Sequence, residues 1–287
     1  MQVNRREDFS ERVSYNFPSY PAYINNSFLS SYPNYSALSH WHEEIELIAV
    51  ISGTMRYNVN GEIITLNKDE GIFVNSKQIH FGFSKDKNEC NFICVVIHPV
   101  LLCASSEIES KYITPLINNE KLPFLKFSQE IRNGIEIFNC ITNMWKYFQS
   151  DNPELLIQSE FFKLWTLILN NAEKTIPKTT KSEMYCFKLM NDFIVKNHNE
   201  KISLEEIACS GNVCKTSCIT IFKKFTNQTP FEYLNEYRLR KAVELMKNSE
   251  MNITEIAFET GFNSASYFAE TFRKYYGINP DTYRKAL

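Results

Sequence analysis

Apolar and polar positions follow two different rhythms along this chain. Between Ser36 and Val96, short runs rich in β-branched residues recur at close spacing, which is typical of β-strands. Asn60-Gly61 separates two of these runs, and this pair favours the positive φ angles of a type I′ hairpin turn. The pattern predicts a small antiparallel barrel or sandwich, built from the runs Ile45–Ile51, Thr54–Val59, Ile63–Leu66, Ile72–Val74 and Phe92–Ile97.

After about Ser128 the period changes to that of a helix. Apolar positions from Ile131 to Phe148, Ile135 among them, recur at helical spacing, and Pro153 opens a second apolar helix that runs to about Ala172. These stripes either cover the strands or form the seam of a dimer. The segment 174–181 is polar and interrupted by proline, as exposed linkers are. We therefore predict a first domain at residues 1–172, a linker at 173–182 and a second domain at 183–287.

The second domain contains an internal repeat. Ser203–Ala208 recurs 49 residues later as Asn252–Ala257, and Phe222–Phe225 recurs 50 residues later as Phe272–Tyr275. Each copy predicts a short helix, a tight turn and a second helix, which together make a helix-turn-helix unit. Between the copies, Pro230 begins a helix of roughly 17 residues, or about 25 Å. This length suits two units whose second helices enter successive major grooves of DNA.

Residue types within each copy predict its turn and its buried face. In the second copy Thr254 is the predicted N-cap of the first helix, Gly261 supplies the positive φ of the turn, and Asn263 or Ser264 caps the second helix. In the first copy Asn212 takes the place of Gly261. The predicted core faces are Cys218, Ile221, Phe222 and Phe225 in the first copy, and Tyr267, Phe268, Thr271 and Phe272 in the second.

The second helix of each copy leaves a row of small, polar and basic positions outside that core face. Such positions contact bases and phosphates in proteins that place a helix in the major groove. The candidate DNA-binding residues are Lys215, Thr216, Ser217, Ile219, Thr220 and Lys223 in the first copy, and Ser264, Ala265, Ser266, Ala269, Glu270 and Arg273 in the second.

The charge of the second domain is a weaker signal for DNA than its pattern. Residues 183–287 carry 14 Lys and Arg against 13 Asp and Glu, so the domain is nearly neutral. Clustering carries more weight, because basic pairs at the ends of elements can follow the phosphates. The clusters are Lys223-Lys224, Arg238-x-Arg240-Lys241, Arg273-Lys274 and Arg284-Lys285.

In these features residues 202–284 resemble the DNA-binding domain of the AraC/XylS family of bacterial transcription regulators. The shared segments include Thr229–Leu234, Gly261-Phe262 and Pro280-x-x-Tyr283-Arg284. The resemblance implies a two-part reader of double-stranded DNA, a homodimer, and activation through RNA polymerase more often than repression. The chain departs from the family in its first copy, where Ile219 and Thr220 stand in place of the frequent Arg or Gln.

A second motif lies in the strand-rich half. His40-x-His42-x-x-x-Glu46-x6-Gly53 is followed by Gly71-x8-His80. His40, His42 and Glu46 share parity, so on one strand their side chains leave the same face and can converge with His80. Three imidazoles and a carboxylate suit a divalent transition metal. Three interpretations remain: a metal site, a metal-free pocket for a small-molecule effector, and a hydrogen-bonded cluster with a structural role.

This spacing resembles the double motif of cupin domains, with Lys77 near the position where the motif usually has proline. The resemblance implies a cupin-like sensor domain. Sensors of this type commonly keep the motif while they bind an organic effector or no ligand.

Composition narrows the classes of protein to which this chain can belong. The 287 residues are 44% hydrophobic, with 33 acidic and 31 basic residues, which excludes a disordered chain. No apolar run reaches the roughly 18 residues of a membrane span, and Met1–Arg12 is polar, so we expect a cytoplasmic protein with no membrane partner. Eight scattered cysteines indicate reduced thiols. With only 8 glycines there is no nucleotide-binding loop, and no serine-nucleophile motif occurs.

The sequence thus predicts an α+β chain, with an N-terminal antiparallel cupin-like β-barrel, two following helices and a C-terminal all-α double helix-turn-helix domain. The predicted function is transcriptional regulation, as an activator that responds to a small-molecule effector in the barrel, without catalysis and without a cofactor. The competing hypothesis is a metal-dependent cupin enzyme, or a metal sensor, fused to the DNA-binding domain.

Overall fold

The computed structural model describes residues 10–172 and 181–286. The chain divides into two compact units, Met1–Thr179 and Thr180–Leu287. The predicted linker at 173–182 lies mostly outside the described residues. Within the described residues, no helix combines the length and the apolar character that a membrane span requires.

The first unit is built on antiparallel strands. The sheet order is β1-β6-β2-β4-β7, while β3 and β5 pair with the second half of β2. The strands are β1 (Ala22–Phe28), β2 (Ile45–Val59), β3 (Glu62–Asn67), β4 (Gly71–Val74), β5 (His80–Phe83), β6 (Cys90–Ile97) and β7 (Phe124–Phe127). Asn60 and Gly61 both have positive φ and join β2 to β3, so the predicted hairpin turn is confirmed.

Strand β2 is the longest strand and bends sharply. The sequence predicted two strands separated by Ser52-Gly53, but the register with β6 shifts between Val50 and Ser52, so a bulge replaces the expected turn. Gly53 has a φ of 80°, and a Cβ there would lie 2.2 Å from the carbonyl oxygen of Glu89. Only glycine fits this bend, which lets one strand pair with β4 and β6 on its first half and with β3 and β5 on its second.

Helices cover one face of this sheet. They are the short α1 (Ser106–Ile108) and α2 (Thr114–Ile117), joined by the π-helical turn Glu109–Ile113, and the longer α3 (Gly134–Phe148) and α4 (Pro153–Leu169). Ile137, Ile141 and Met144 of α3 and Phe161 of α4 are fully buried in a core shared with the strands. Ile135, which the sequence placed on the apolar stripe, is 52% exposed, so that assignment is wrong.

The second unit is helical in its described part. Its helices are α5 (Lys181–Lys196), α6 (Leu204–Ser210), α7 (Lys215–Thr226), α8 (Pro230–Asn248), α9 (Ile253–Glu259), α10 (Ala265–Tyr276) and α11 (Pro280–Lys285). The pairs α6–α7 and α9–α10 are the two predicted helix-turn-helix units, and α8 between them has 19 residues, about 28 Å. The predicted α+β class is confirmed.

Local signals start three of these helices. Ser203 and Glu206 form a capping box on α6, Thr229 and Glu232 form another on α8, and the box on α9 pairs Asn252 with Glu255. The predicted cap Thr254 is therefore wrong, because Asn252 places its side-chain oxygen on the N3 amide and starts the helix two residues earlier. The turns agree with prediction: Asn212 and Gly261 have φ angles of 52° and 89°.

The core of the second unit differs from prediction on one helix. Cys218, Ile221, Phe222 and Phe225 of α7 are buried as predicted. On α10, Phe268 and Phe272 are fully buried, but Tyr267 is 51% exposed and Thr271 is half-buried, so these two were assigned to the core wrongly. Helical spacing of i and i+4 fits both pairs, and only tertiary packing selects Phe268 with Phe272.

Candidate ligand site and nucleic-acid interface

Four side chains converge inside the first unit. One ligand atom each from His40, His42, Glu46 and His80 lies within 4.8 Å of the others, and all four residues are buried. The ring centroids of His40 and His80 are 4.4 Å apart, and those of His42 and His80 are 4.9 Å apart. The four residues that the sequence grouped are therefore neighbours, and we call them the His/Glu cluster.

The route by which they meet is not the predicted one. His40 and His42 precede β2, which begins only at Ile45, and a bend at residues 43–44 separates them from Glu46. The segment that carries them pairs instead with β5, where the amides and carbonyls of His40 and His80 exchange hydrogen bonds of 3.2 and 2.8 Å. The shared-strand argument was thus wrong, and cross-strand pairing at His80 brings the imidazoles together.

The backbone orients each imidazole of the cluster. The Nδ1 atoms of His40, His42 and His80 lie 2.7, 3.1 and 2.8 Å from the carbonyl oxygens of Leu38, Glu44 and Gln78 respectively. A carbonyl is an acceptor, so each Nδ1 carries the proton and donates it. Each Nε2 is then left as a lone pair, which is the arrangement that protein metal sites use to fix their histidine ligands.

Donor separations within the cluster also suit one cation. His42 Nε2 and His80 Nε2 lie 3.5 and 3.3 Å from Glu46 Oε2. Two ligands that each bind zinc at about 2.0–2.1 Å lie about 2.8–3.0 Å apart on neighbouring corners of an octahedron, and about 3.3–3.4 Å apart on those of a tetrahedron. The residues present therefore fit a divalent transition metal.

The ionisation states agree with this chemistry. Burial lowers the pKa of His40 well below its usual value, so its ring stays neutral. Burial alone would raise the pKa of Glu46, but His80 and His42 outweigh it and hold this pKa well below its usual value. The phenol of Tyr57 donates a hydrogen bond to the other Glu46 oxygen. A metal site needs neutral imidazole and ionised carboxylate ligands, and His40 and Glu46 meet this requirement.

A cavity opens beside the cluster. Its volume is about 40 Å³, and Glu46, His40, Tyr57, Cys94 and Glu11 are among its lining residues. One buried water requires about 10–15 Å³ of such space, so the cavity holds a few waters or one hydrated ion. Sequence patterns missed Glu11 and Tyr57, because neither belongs to the histidine motif.

The candidate DNA-binding residues lie on α7 and α10 and at the N-terminus of α10, outside the buried faces. Lys215, Thr216, Thr220 and Lys223 of α7 are exposed, and Ser217 and Ile219 are half-buried. The second set behaves alike: Ser264, Ser266, Glu270 and Arg273 are exposed, while Ala265 and Ala269 are half-buried. Each helix thus has a buried aromatic face and an accessible face of small and polar side chains.

Several residues predicted near DNA have structural partners, such as Lys215, which pairs with Glu205 at 2.7 Å. Ser264 is the N-cap of α10 and accepts the Tyr267 amide at 3.2 Å. Arg238 is buried, and its guanidinium donates to the carbonyls of His198 and Glu200 at 2.6 and 2.8 Å. Arg238 therefore holds the turn that precedes α6, and its assignment to the phosphate path was wrong.

Arg284 repeats this device in the second helix-turn-helix unit. Its guanidinium donates to the carbonyls of Ser249 and Met251, in the turn before α9. Both arginines stabilise a turn by satisfying backbone oxygens. The basic residues of this unit therefore have two roles. Lys223 and Arg273 are exposed, whereas Arg238 and Arg284 stabilise turns of the fold.

Family models match the two units separately. Residues 30–96 match the cupin domain, and residues 212–286 match a helix-turn-helix domain. The cupin match contains all four members of the His/Glu cluster. The helix-turn-helix match contains α7 and α10 with every candidate DNA-binding residue.

Several relatives align with this chain over most of its length. An uncharacterised HTH-type transcriptional regulator of Bacillus subtilis, YdeC, is 28% identical over 249 residues, 86% of this chain and 85% of its own. The transcriptional activator RhaR of Mannheimia succiniciproducens is 26% identical over 247 residues, which cover 85% and 86% of the two chains. Among solved structures, ToxT of Vibrio cholerae aligns over 93% of this chain and 99% of its own, at 14% identity and a TM-score of 0.40.

Proposed function

Because the chain is a DNA-binding transcriptional regulator of the AraC/XylS type, with a cupin domain before its helix-turn-helix domain, we propose that it controls transcription in response to a small ligand bound at the His/Glu cluster. The single observation that carries this proposal is the convergence of four buried polar side chains beside a cavity. The Nε2 lone pairs and the Glu46 oxygen Oε2 are all acceptors, so the cluster favours a ligand that supplies positive charge or hydrogen-bond donors.

A divalent transition metal is the ligand that the cluster favours. Its three Nδ1 atoms face backbone carbonyls, and the Nε2 and carboxylate atoms have the separations of metal ligands. In such a site His40, His42, His80 and Glu46 would hold the ion, which supplies positive charge to the cavity. An organic effector that hydrogen-bonds the same groups is the second candidate, and a cavity of about 40 Å³ would have to expand to admit it.

We propose that the first unit senses a ligand and does not catalyse a reaction. The relatives named above are regulators, and the cavity has little room for a substrate beside an ion. Activation through RNA polymerase is proposed by analogy with RhaR, which is named an activator. A regulator that binds the chromosome works where the chromosome is, so we place the chain in the cytoplasm.

We also propose a homodimer. Phe161, Leu164 and Trp165 are buried against the sheet, so the greater part of the predicted seam serves the unit itself. Leu155 on α4 is nevertheless 78% exposed, and Phe162 of the same helix lies exposed seven residues on. Spacing of seven places them on one face, which supports contact with a second copy of the chain.

The expected behaviour of the isolated fragment 183–287 tests DNA binding directly. This unit has its own core around Phe268 and Phe272, so the fragment should fold and bind duplex DNA without the first unit. Counterion release makes binding steeply dependent on salt: with about four phosphate contacts, affinity falls roughly tenfold for each doubling of the salt concentration. Fluorescence anisotropy at several salt concentrations measures the slope.

Matched lysine variants control this experiment. Lys223→Ala removes an exposed charge from α7, and Lys188→Ala removes an exposed charge from α5. We expect the first to reduce the salt slope by about one and the second to leave it unchanged. A folded fragment with no salt-sensitive duplex binding at low ionic strength is incompatible with the proposal.

Of the two helix-turn-helix units, the second, α9–α10, is expected to supply more of the base specificity, through Glu270. A carboxylate in the major groove can accept a hydrogen bond from cytosine N4. Among the described residues no side chain forms a salt bridge with Glu270, Lys274 at i+4 included, while the Lys274 ammonium interacts electrostatically with Glu232. Glu270→Ala should relax the preference at one operator position by about 1–3 kcal/mol, with equal or higher nonspecific affinity.

Selection of binding sites from a random library measures this preference. Glu244→Ala is the control, because Glu244 is an exposed carboxylate on α8 that pairs with Lys241. If the wild-type and Glu270→Ala profiles agree at every base position, Glu270 does not contact a base.

A further inference from the structure

The turn inside the second helix-turn-helix unit lies very close to the chain that leads into the first. Gly261 is in the turn between α9 and α10, and a Cβ on it would lie 2.5 Å from the His198 carbonyl oxygen and 2.8 Å from the Asn199 Cα. His198 and Asn199 belong to the turn between α5 and α6, which starts the first helix-turn-helix unit. The two turns therefore approach each other with no room for a side chain at position 261.

Arg238 of α8 contacts both of these turns. Its guanidinium donates to the carbonyls of His198 and Glu200 on one side. On the other side its Cζ lies 5.9 Å from the centroid of the Phe262 ring, which is within the range of a cation–π contact. Phe262 directly follows Gly261 and is buried in the aromatic core of α10. We call Arg238, Gly261 and the turn before α6 the inter-turn contact.

A comparison of the two copies of the repeat shows what the glycine is for. Asn212 in the first copy and Gly261 in the second have φ angles of 52° and 89°, and asparagine is the next best residue after glycine at positive φ. The conformation of the turn would therefore also accept asparagine in the second copy. The close approach of His198 and Asn199 excludes a side chain there. Gly261 thus serves the contact between the two helix-turn-helix units as well as its own turn.

We propose that the inter-turn contact fixes the position of α10 relative to α7, so that the protein accepts only one spacing between the two DNA segments that these helices read. Arg238 and Gly261 are then positioning residues, which act on DNA through the placement of the reading helices. One inserted base pair moves the second segment by about 3.4 Å and rotates it by about 35° around the duplex axis. The hydrogen bonds of Arg238, at 2.6 and 2.8 Å, cannot follow such a displacement without breaking.

Binding of the full-length protein to operators of altered spacing tests this inference. The probes are the duplex that the wild type selects from a random library, and the same duplex with one base pair inserted or deleted between its two selected segments. Fluorescence anisotropy at one salt concentration gives the ratio of Kd for the altered spacing to Kd for the selected spacing. This ratio is insensitive to a partly unfolded sample, because unfolded molecules reduce the apparent affinity for every probe equally.

Two variants break the inter-turn contact, and each has a matched control. Arg238→Met removes the donors and keeps an apolar side chain, while Gly261→Asn keeps the turn conformation and adds a side chain. Arg284→Met is the control for the first, because it also removes two hydrogen bonds to backbone carbonyls, but between α11 and the turn before α9. Asn212→Gly is the control for the second, because it makes the reciprocal change in the turn of the first copy.

We expect each altered spacing to weaken binding of the wild type at least about tenfold, as a mismatched base pair does. Arg238→Met and Gly261→Asn should reduce this penalty to about threefold or less, with weaker binding at the selected spacing, because the reading helices are no longer held ready for it. Arg238→Lys keeps the charge without the planar pair of donors and should give an intermediate ratio. Arg284→Met and Asn212→Gly should keep the wild-type ratio.

Two results would overturn the inference while DNA binding stands. One is a wild type that binds all three spacings equally, and the other is a wild-type ratio retained in Arg238→Met and Gly261→Asn. A wild type without sequence-specific binding would overturn the assignment of the reading helices as well. The inference depends on DNA reading by α7 and α10 and is independent of the ligand at the His/Glu cluster.

Discussion

His42→Ala is expected to weaken divalent metal binding by more than about 100-fold. Removal of a group that only orients a ligand already costs about 10–100-fold, and His42 offers its own Nε2 to the cluster. Its loss also leaves the Glu44 carbonyl without the Nδ1 donor and Glu46 without one of its two imidazole neighbours. Isothermal titration of the chelator-treated protein with Co²⁺ or Zn²⁺ measures the change.

The same substitution should remove the thermal stabilisation that metal provides. A ligand that binds only the native state adds RT ln(1 + [L]/Kd), which is about 4 kcal/mol at a thousandfold excess over Kd. A hundredfold weaker Kd reduces this increment by about 2.7 kcal/mol. The informative quantity is the difference between melting with metal and with chelator, because the structural cost of the substitution is common to both.

His98→Ala is the matched control for this experiment. His98 lies in the same unit but outside the cluster, where its Nδ1 accepts the Val100 amide as an N-cap. It should lower stability equally with and without metal, and leave Kd unchanged. Retention of full metal affinity in His42→Ala, or a wild type that melts identically with metal and with chelator, contradicts a metal site at the cluster.

Phe268→Ala is expected to destabilise the second unit by about 3–5 kcal/mol. Phe268 is fully buried, and its ring lies 5.1 Å from Phe262 and 5.6 Å from Phe272. Truncation of a buried phenylalanine loses its transfer free energy and leaves a cavity that neighbouring rings fill only partly. Typical domains are stable by only about 5–15 kcal/mol, so duplex binding should fall with the folded fraction at moderate temperature.

Tyr267→Ala, one position earlier, is the control. Half of Tyr267 is exposed, and its hydroxyl accepts one hydrogen bond from Asn235 at 3.0 Å. Its replacement should cost about 1 kcal/mol or less. Urea unfolding of residues 183–287 compares the two variants, and equal losses would mean that the burial of α10 is assigned incorrectly.

This contrast shows what the sequence could and could not predict about the helices. The repeat, the turn residues Asn212 and Gly261 and the core face of α7 follow from residue type and spacing, and they are correct. On α10 the positions 267 and 271 have the same spacing as 268 and 272. Aromatic side chains on other elements decide which pair is buried, and the sequence of α10 alone does not show where those side chains lie.

The sequence could predict which residues form the His/Glu cluster, but not how the fold brings them together. Histidine spacing identified its four residues, whereas the contact between His40 and His80 depends on pairing between segments 40 residues apart. Glu11 and Tyr57 had no local signal at all, because the N-terminal segment and the bend at Gly53 place them. The roles of the basic residues could not be predicted from composition either. Arg238 and Lys223 carry the same charge, and only the structure shows that Arg238 donates hydrogen bonds to backbone carbonyls.

The capping boxes of α6, α8 and α9 have a consequence for the order in which this polypeptide folds. Each box joins residues three positions apart, so these helices are encoded within a few residues of their own start. Strand β1, by contrast, pairs with β6 in a register that joins Ala22 to Ile97. This pairing cannot form until the β6 segment has left the ribosome. Chains dominated by local contacts fold in microseconds to milliseconds, while those built on distant strand pairing need milliseconds to seconds. The half of the protein made last is thus built to fold fastest, and the half made first spends longer with its strand edges exposed.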